Sequence, residues 1–137
     1  MKKIAYKEGY KYQLVDDYVI ALPIPYQDKE INTNYLSVTN TGVLTIKRGY
    51  AWDGPSGPTI DTLNSMRASL VHDALYQLIR LKYFPSRYKT LADDIFYKIL
   101  TEDGMTRLRA SIWHKALDLF GGKNILPEME KPIKLAP

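Results

Sequence analysis

Two different hydrophobic periodicities divide the chain near residue 60. Four upstream segments are either rich in Tyr, Val, Ile and Leu or alternate apolar and polar positions, which is typical of β-strands; they are 10–15, 18–22, 35–39 and 43–47. Asp16-Asp17 predicts a turn, and Asn40-Thr41-Gly42 predicts a hairpin. The sequence therefore predicts an antiparallel β region over about residues 1–58.

Downstream of Asp61 the apolar residues recur at helical spacing. Asp61 is a suitable N-cap for the first helix, and Pro85 interrupts its pattern. Ser86 is placed to cap a second helix over about 89–101. A third helix is expected over 106–120, after the helix-stop sequence Glu102-Asp103-Gly104.

These elements predict an α+β fold in a single domain over residues 1–122. Its helical region covers about 61–121, and the short connection between the first two helices predicts that they run antiparallel. The segment 123–137 contains three prolines and predicts an extended C-terminal arm.

Composition narrows the classes of function. The 137 residues contain no cysteine, which excludes disulfides and thiolate metal sites. The net charge of +4 is mild and spread out, and no nucleic-acid-binding motif is present, so no nucleic-acid partner is expected. No segment approaches the roughly 20 apolar residues of a transmembrane helix, and no signal-peptide pattern follows Lys2-Lys3. We therefore expect a soluble protein without a transmembrane segment.

His72 lies among groups that suit acid–base chemistry. His72 and Tyr76 share one face of the first helix because they are four residues apart. Asp93 shares a face of the second helix with Phe96, so its carboxylate points inward and needs a partner. If one imidazole nitrogen bonds this carboxylate, the other can act as a base. The alternative is that these three residues form a buried hydrogen-bonded cluster that stabilises the helix pair and has no catalytic role.

Asp73 and the glycine-proline loop before the first helix form a candidate calcium site. Asp73 lies about 100° round the helix from His72 and would face this loop. Calcium binds carboxylates together with backbone carbonyls. The loop positions concerned are Trp52, Gly54 and Ser56. The alternative is an ordinary strand-to-helix connection, since Gly-Pro runs are common in turns.

Other hydrolytic sites have less support in the sequence. The chain has two histidines, and a phosphohydrolase site of the His…His-Asp…Asp type needs a histidine upstream of His72. A zinc site with three protein ligands is hard to build for the same reason. No serine lies in a G-x-S-x-G context. His114 is interpreted as structural or surface-exposed.

The stretch from Gly49 to Gly121 resembles a family of phage and prophage proteins of uncharacterised function. The family pattern is a D-G-x-S-x-P loop followed by H-D-x-L-Y, A-D-x-x-F, a W-R-A-like segment and a terminal F-G. In this chain the corresponding residues are 53–58, 72–76, 92–96, 108–110 and 120–121. Thr59 departs from the pattern, since the family often has arginine there.

The order H-D-x-x-Y, then A-D-x-x-F, is also similar to the catalytic core of phospholipase A₂, especially the cysteine-free viral capsid type. This resemblance implies that His72 activates water and that Asp73 binds calcium. It also implies that Tyr76 supports Asp93, which orients the histidine. The loop departs from that family because Trp52-Asp53 and two prolines replace a more glycine-rich sequence.

Together the two resemblances predict a phage-encoded, calcium-dependent ester hydrolase that acts on membrane phospholipid by a His-Asp dyad. Another ester or amide substrate stays open. The alternative, from a different class, is a non-catalytic virion or host-interaction protein in which the His-Asp-Tyr cluster is structural and the partners are other virion proteins. Either protein would be made in the host cytoplasm, with association with the virion left open.

Overall fold

The computed structural model describes residues 4, 6–9, 11–52 and 63–120 of the chain. Within these residues the strands all precede the helices, which confirms the predicted α+β order. The strands are β1 (Tyr6–Gly9), β2 (Lys11–Leu14), β3 (Tyr18–Ala21), β4 (Ile31–Asn32), β5 (Leu36–Val38), β6 (Val43–Ile46) and β7 (Ala51–Trp52). The helices are α1 (Leu63–Arg80), α2 (Tyr88–Glu102) and α3 (Arg107–Phe120).

The strands form two antiparallel sheets, with strand orders β1-β2-β7 and β3-β6-β5-β4. The predicted hairpin is β5–β6, in which Leu36 pairs with Ile46 and Val38 with Leu44. All four of these side chains are buried. Gly42 closes the hairpin with φ of +91°, and a Cβ there would lie 2.8 Å from a side-chain carbon of Ile24. Glycine is therefore required at this turn for both its conformation and its size.

The two N-terminal strand predictions are confirmed, but the strands belong to different sheets. β2 pairs with β1 and β7, whereas β3 pairs with β6. The turn at residues 16–17 therefore carries the chain from one sheet to the other. The Asp17 carboxylate accepts a hydrogen bond of 2.7 Å from the backbone N–H of Arg48, which fixes this crossing to the end of β6.

α2 and α3 begin within one residue of their predicted starts, whereas Asp61, the predicted N-cap of α1, lies outside the described residues. Ser86 does not cap α2. Arg87 occupies the N-cap position with helical φ and ψ and makes no side-chain capping bond. The backbone N–H of Lys89 instead bonds the carbonyl of Ser86 at 3.1 Å. Because the turn leading into α2 is already helical, the extended N-cap geometry that serine favours is not available. At α3, the Thr106 hydroxyl accepts a bond of 3.3 Å from the N–H of Arg109.

α1 and α2 run antiparallel, as predicted. Arg67 near the start of α1 bonds Asp103, just beyond the end of α2, at 2.8 Å. Tyr76, farther along α1, bonds Asp93 in the first half of α2. Arg67 also bonds Glu102 at 2.9 Å and is 7% exposed. Its guanidinium therefore fixes the register of the two helices at this end, and the apolar pattern did not reveal it.

The strands and the helices fall into two compact units. The predicted single domain over residues 1–122 stays a prediction, and the proposed C-terminal arm lies outside the described residues. Leu70, Leu75, Leu78 and Leu100 are among the fully buried side chains of the helical unit. None of the helices in the described part of the chain has the length and apolar character of a membrane span.

Candidate active site

Three side chains converge on the carboxylate of Asp93. One oxygen, Oδ1, lies 2.8 Å from Nε2 of His72 and accepts a hydrogen bond of 2.6 Å from the Tyr76 hydroxyl. The other oxygen, Oδ2, accepts a bond of 2.7 Å from Nζ of Lys89. The sequence predicted that His72, Tyr76 and Asp93 would meet, and the structure places all three in direct contact.

Helix geometry brings these groups together. His72 and Tyr76 lie one turn apart on α1, and their rings are 4.0 Å apart between centroids. Phe96, one turn after Asp93 on α2, packs against the imidazole at a centroid distance of 5.0 Å. The imidazole is therefore held by one ring from its own helix and one from the neighbouring helix. His72 is 6% exposed, and Asp93 is completely buried.

Lys89 is the member of the site that sequence reasoning missed. It follows Arg80, Lys82 and Arg87 in a part of the sequence that is rich in cations, and such charged stretches are usually solvated. Its ammonium instead bonds Asp93 and also donates to the backbone carbonyl of Leu117 at 3.2 Å. The available signal was the spacing of four residues between Lys89 and Asp93, which places them on one helix face. Asp93 thus has a cationic partner that a simple dyad would lack.

Burial and hydrogen bonding oppose each other at Asp93, and hydrogen bonding prevails. Removal from water alone would raise its pKa. Hydrogen bonds from His72, Lys89 and Tyr76 favour the ionised form, and together they hold the pKa of Asp93 below its ordinary value. Asp93 is therefore a carboxylate at neutral pH, able only to accept hydrogen bonds.

His72 is neutral at neutral pH. Burial lowers its pKa, and this effect outweighs the opposing hydrogen bond and charge of Asp93; the nearby charge of Lys89 lowers it further. Burial and the hydrogen bond to Asp93 likewise raise the pKa of the Tyr76 phenol, which stays protonated. Because a carboxylate can only accept, Nε2 of His72 carries the proton. Nδ1 then has a free lone pair, and within the described ranges it receives no hydrogen bond.

The structure describes two of the four predicted calcium ligands, Asp73 and Trp52. Asp73 is half-buried on α1, and Trp52 is buried in β7 with its ring 5.6 Å from that of Tyr12. Gly54 and Ser56 lie outside the described residues. Among residues 4, 6–9, 11–52 and 63–120, no three acidic or histidine side chains are grouped as metal ligands. The calcium site therefore stays a prediction that depends on the Asp73 carboxylate and on the backbone carbonyls of the loop before α1.

The second histidine belongs to a separate surface cluster. Nε2 of His114 lies 2.8 Å from Asp94, and Nδ1 lies 3.6 Å from Asp118, four residues farther along α3. The Tyr97 ring meets the imidazole edge-on at a centroid distance of 6.0 Å. Both aspartates are more than half exposed. His114 thus joins α2 to α3 at the surface, in agreement with its interpretation as a structural or surface residue.

No curated protein and no solved structure matches the chain. One family model does match, over residues 30–117, and its description is "Protein of unknown function" (DUF1353). The match covers more than half of the chain and includes His72, Tyr76, Lys89 and Asp93. It agrees with the predicted membership of a family of uncharacterised function. The chain belongs to the DUF1353 family.

Proposed function

We propose that this protein is a hydrolase that cleaves an acyl ester of membrane phospholipid, with His72 as the general base. The observation that carries the proposal is the buried contact of 2.8 Å between Nε2 of His72 and Asp93. This contact fixes the tautomer in which Nδ1 is the basic nitrogen. A base that is neutral at neutral pH is ready to accept a proton, which is what hydrolysis requires.

The proposed reaction begins when Nδ1 of His72 takes a proton from a water molecule. The water oxygen bonds the ester carbonyl carbon, and the carbonyl electrons move to its oxygen. When this intermediate collapses, the bond to the alkoxide breaks and His72 returns its proton to the leaving alkoxide. The products are a fatty acid and a lysophospholipid. Asp93 stabilises the transient imidazolium, and Tyr76 holds the carboxylate in place.

Calcium is part of the proposal, with Asp73 as its carboxylate ligand. When bound, the ion would supply positive charge opposite the developing oxyanion. In a phage-encoded protein, such an activity would serve to breach the host membrane, and the protein would be made in the host cytoplasm or carried in the virion.

The test is release of fatty acid from phospholipid vesicles, with calcium and with a chelator. We expect His72→Ala to lower the rate by about 10²–10⁴-fold, the usual contribution of a positioned base. His114→Ala is the matched control and should keep the wild-type rate, because its imidazole lies in the separate surface cluster. Equal rates for wild type and His72→Ala would refute the hydrolase proposal.

A second candidate function is a non-catalytic virion or host-interaction protein. The observation that favours it is the Lys89–Asp93 ion pair of 2.7 Å, which already satisfies the charge of Asp93 in the core. In that case the cluster serves as a brace between α1 and α2. The brace is supported if wild type and His72→Ala are both inactive while His72→Ala melts several degrees lower.

A further inference from the structure

The outer face of α3 carries apolar side chains that no described part of the protein covers. Leu108, Ile112 and Leu119 are 76%, 61% and 67% exposed. They are four and seven residues apart, so they lie along one side of the helix over about 16 Å. The opposite side of α3 packs inward through Ala110 and Trp113, both buried.

Positive charges surround this apolar stripe. Arg107 and Arg109 lie in its first turn and Lys115 lies in its third, and all three are exposed. The acidic residue of the helix, Asp118, faces His114. An exposed apolar stripe flanked by lysine and arginine is the pattern of a helix that lies in the plane of a membrane interface.

We infer that α3 docks on the surface of an anionic phospholipid bilayer through Leu108, Ile112 and Leu119. The apolar side chains enter the boundary between headgroups and acyl chains, and the cations contact lipid phosphates. Lys115 can extend its ammonium to the headgroup level while its carbon stem stays among the acyl chains. This inference rests on the surface of α3 and does not require that the protein be a hydrolase.

A second copy of the chain fits this surface less well. Pairing two α3 faces about a twofold axis would place Lys115, which lies near the middle of the helix, close to Lys115 of the other copy. Like charges in a partly dehydrated contact repel each other, and α3 offers one carboxylate per copy to offset three cations. A bilayer supplies both the apolar phase and the opposite charge.

The test is co-sedimentation of the full chain with vesicles of phosphatidylcholine, with and without phosphatidylglycerol. We expect binding to the anionic vesicles that weakens at 0.5 M salt, because screening shortens the reach of the charges. The triple variant Leu108→Ser/Ile112→Ser/Leu119→Ser should bind at least about tenfold more weakly, since it loses most of the apolar area that enters the lipid. Lys115→Glu should weaken binding by more than about fivefold, the loss expected for removing one cation near an anionic surface.

The matched control is Tyr26→Ser, which removes an apolar side chain of similar exposure, 69%, from the strand unit and should bind like wild type. The inference is overturned if wild type does not bind anionic vesicles or if the triple variant binds equally well. It is also overturned if the triple variant instead dissolves a dimer seen by analytical ultracentrifugation. His72→Ala should bind as wild type does, so failure of catalysis and failure of docking give different results.

Discussion

Replacing Asp93 with asparagine tests the central contact of the helical unit. The substitution keeps the shape of the side chain but removes its charge and one of its two acceptor oxygens. If the NH₂ of the asparagine replaces Oδ2, its N–H donors point at the Lys89 ammonium. If the NH₂ replaces Oδ1, its N–H donors point at His72 and Tyr76, which both donate a hydrogen bond to that oxygen. Neither orientation satisfies all three partners.

The expected cost is about 3 kcal/mol in the free energy of unfolding. Breaking a buried ion pair by removing one partner typically costs about 3–5 kcal/mol. The lower end applies because the Lys89 side chain is 19% exposed, so water can partly solvate the ammonium that loses its partner. Asp93 itself is completely buried and gains nothing from solvent.

Urea unfolding followed by circular dichroism at 222 nm measures this cost, because that signal reports mainly on the helices. The matched control is Asp94→Asn, the adjacent residue on α2, whose side chain is 61% exposed and bonds His114. We expect the control to cost less than about 1 kcal/mol, as surface ion pairs do. If Asp93→Asn and Asp94→Asn are equally destabilising, the buried hydrogen bonds of Asp93 do not contribute more to the stability of the helical unit than a surface ion pair does, and the reasoning is refuted.

Three further predictions concern the partners of Asp93. Acidification from pH 7 to pH 5 should lower the free energy of unfolding. The reason is that the pKa of His72 in the folded protein lies below its ordinary value of 6.5, so the unfolded chain takes up the proton first. The free energy of unfolding should depend less on pH in His72→Gln. Tyr76→Phe should cost about 2 kcal/mol, the usual contribution of a hydrogen bond to a charged group, measured by urea unfolding. Lys89→Met should raise the pKa of Asp93, so that acid unfolding monitored by circular dichroism begins at a higher pH.

Each of these predictions has a matched control in the helical unit. His114→Asn removes the other imidazole. The contribution of His72 to the pH dependence of the free energy of unfolding should remain in this variant. Tyr83→Phe removes a phenol from a half-exposed position and should leave the stability unchanged. Lys98→Met removes an exposed ammonium from α2 and should not move the acid transition. A control that matches its test variant would contradict the corresponding prediction.

Local patterns sufficed for much of the fold because they report burial directly. The alternation before and after Asn40-Thr41-Gly42 placed the β5–β6 hairpin, and the apolar stripes placed all three helices. The pairing of strands was not accessible in the same way. β2 and β3 are adjacent in sequence but bond β7 and β6, from much later in the chain. Such long-range partners leave no signal in the periodicity of one strand.

The candidate site was predicted to the extent that helix geometry determines it. An inward carboxylate at Asp93 requires donors, and the facing turn of α1 offers His72 and Tyr76. Lys89 was missed because a lysine near a helix start, among other cations, is usually solvated. Its role depends on the Leu117 carbonyl at the far end of α3, and the sequence does not reveal where that turn will lie.

The two hydrogen bonds that the Lys89 ammonium donates have a consequence for local opening of the helical unit. The ammonium of Lys89 bonds both the backbone carbonyl of Leu117 and the carboxylate of Asp93. Unwinding the final turn of α3 removes one of these two anchors of Lys89, and so weakens a hydrogen bond that holds the carboxylate beside His72 in place. Fraying at that terminus is therefore energetically linked to the interior between α1 and α2. Amide protons near Leu117 should exchange more rapidly with deuterium once residue 89 can no longer donate.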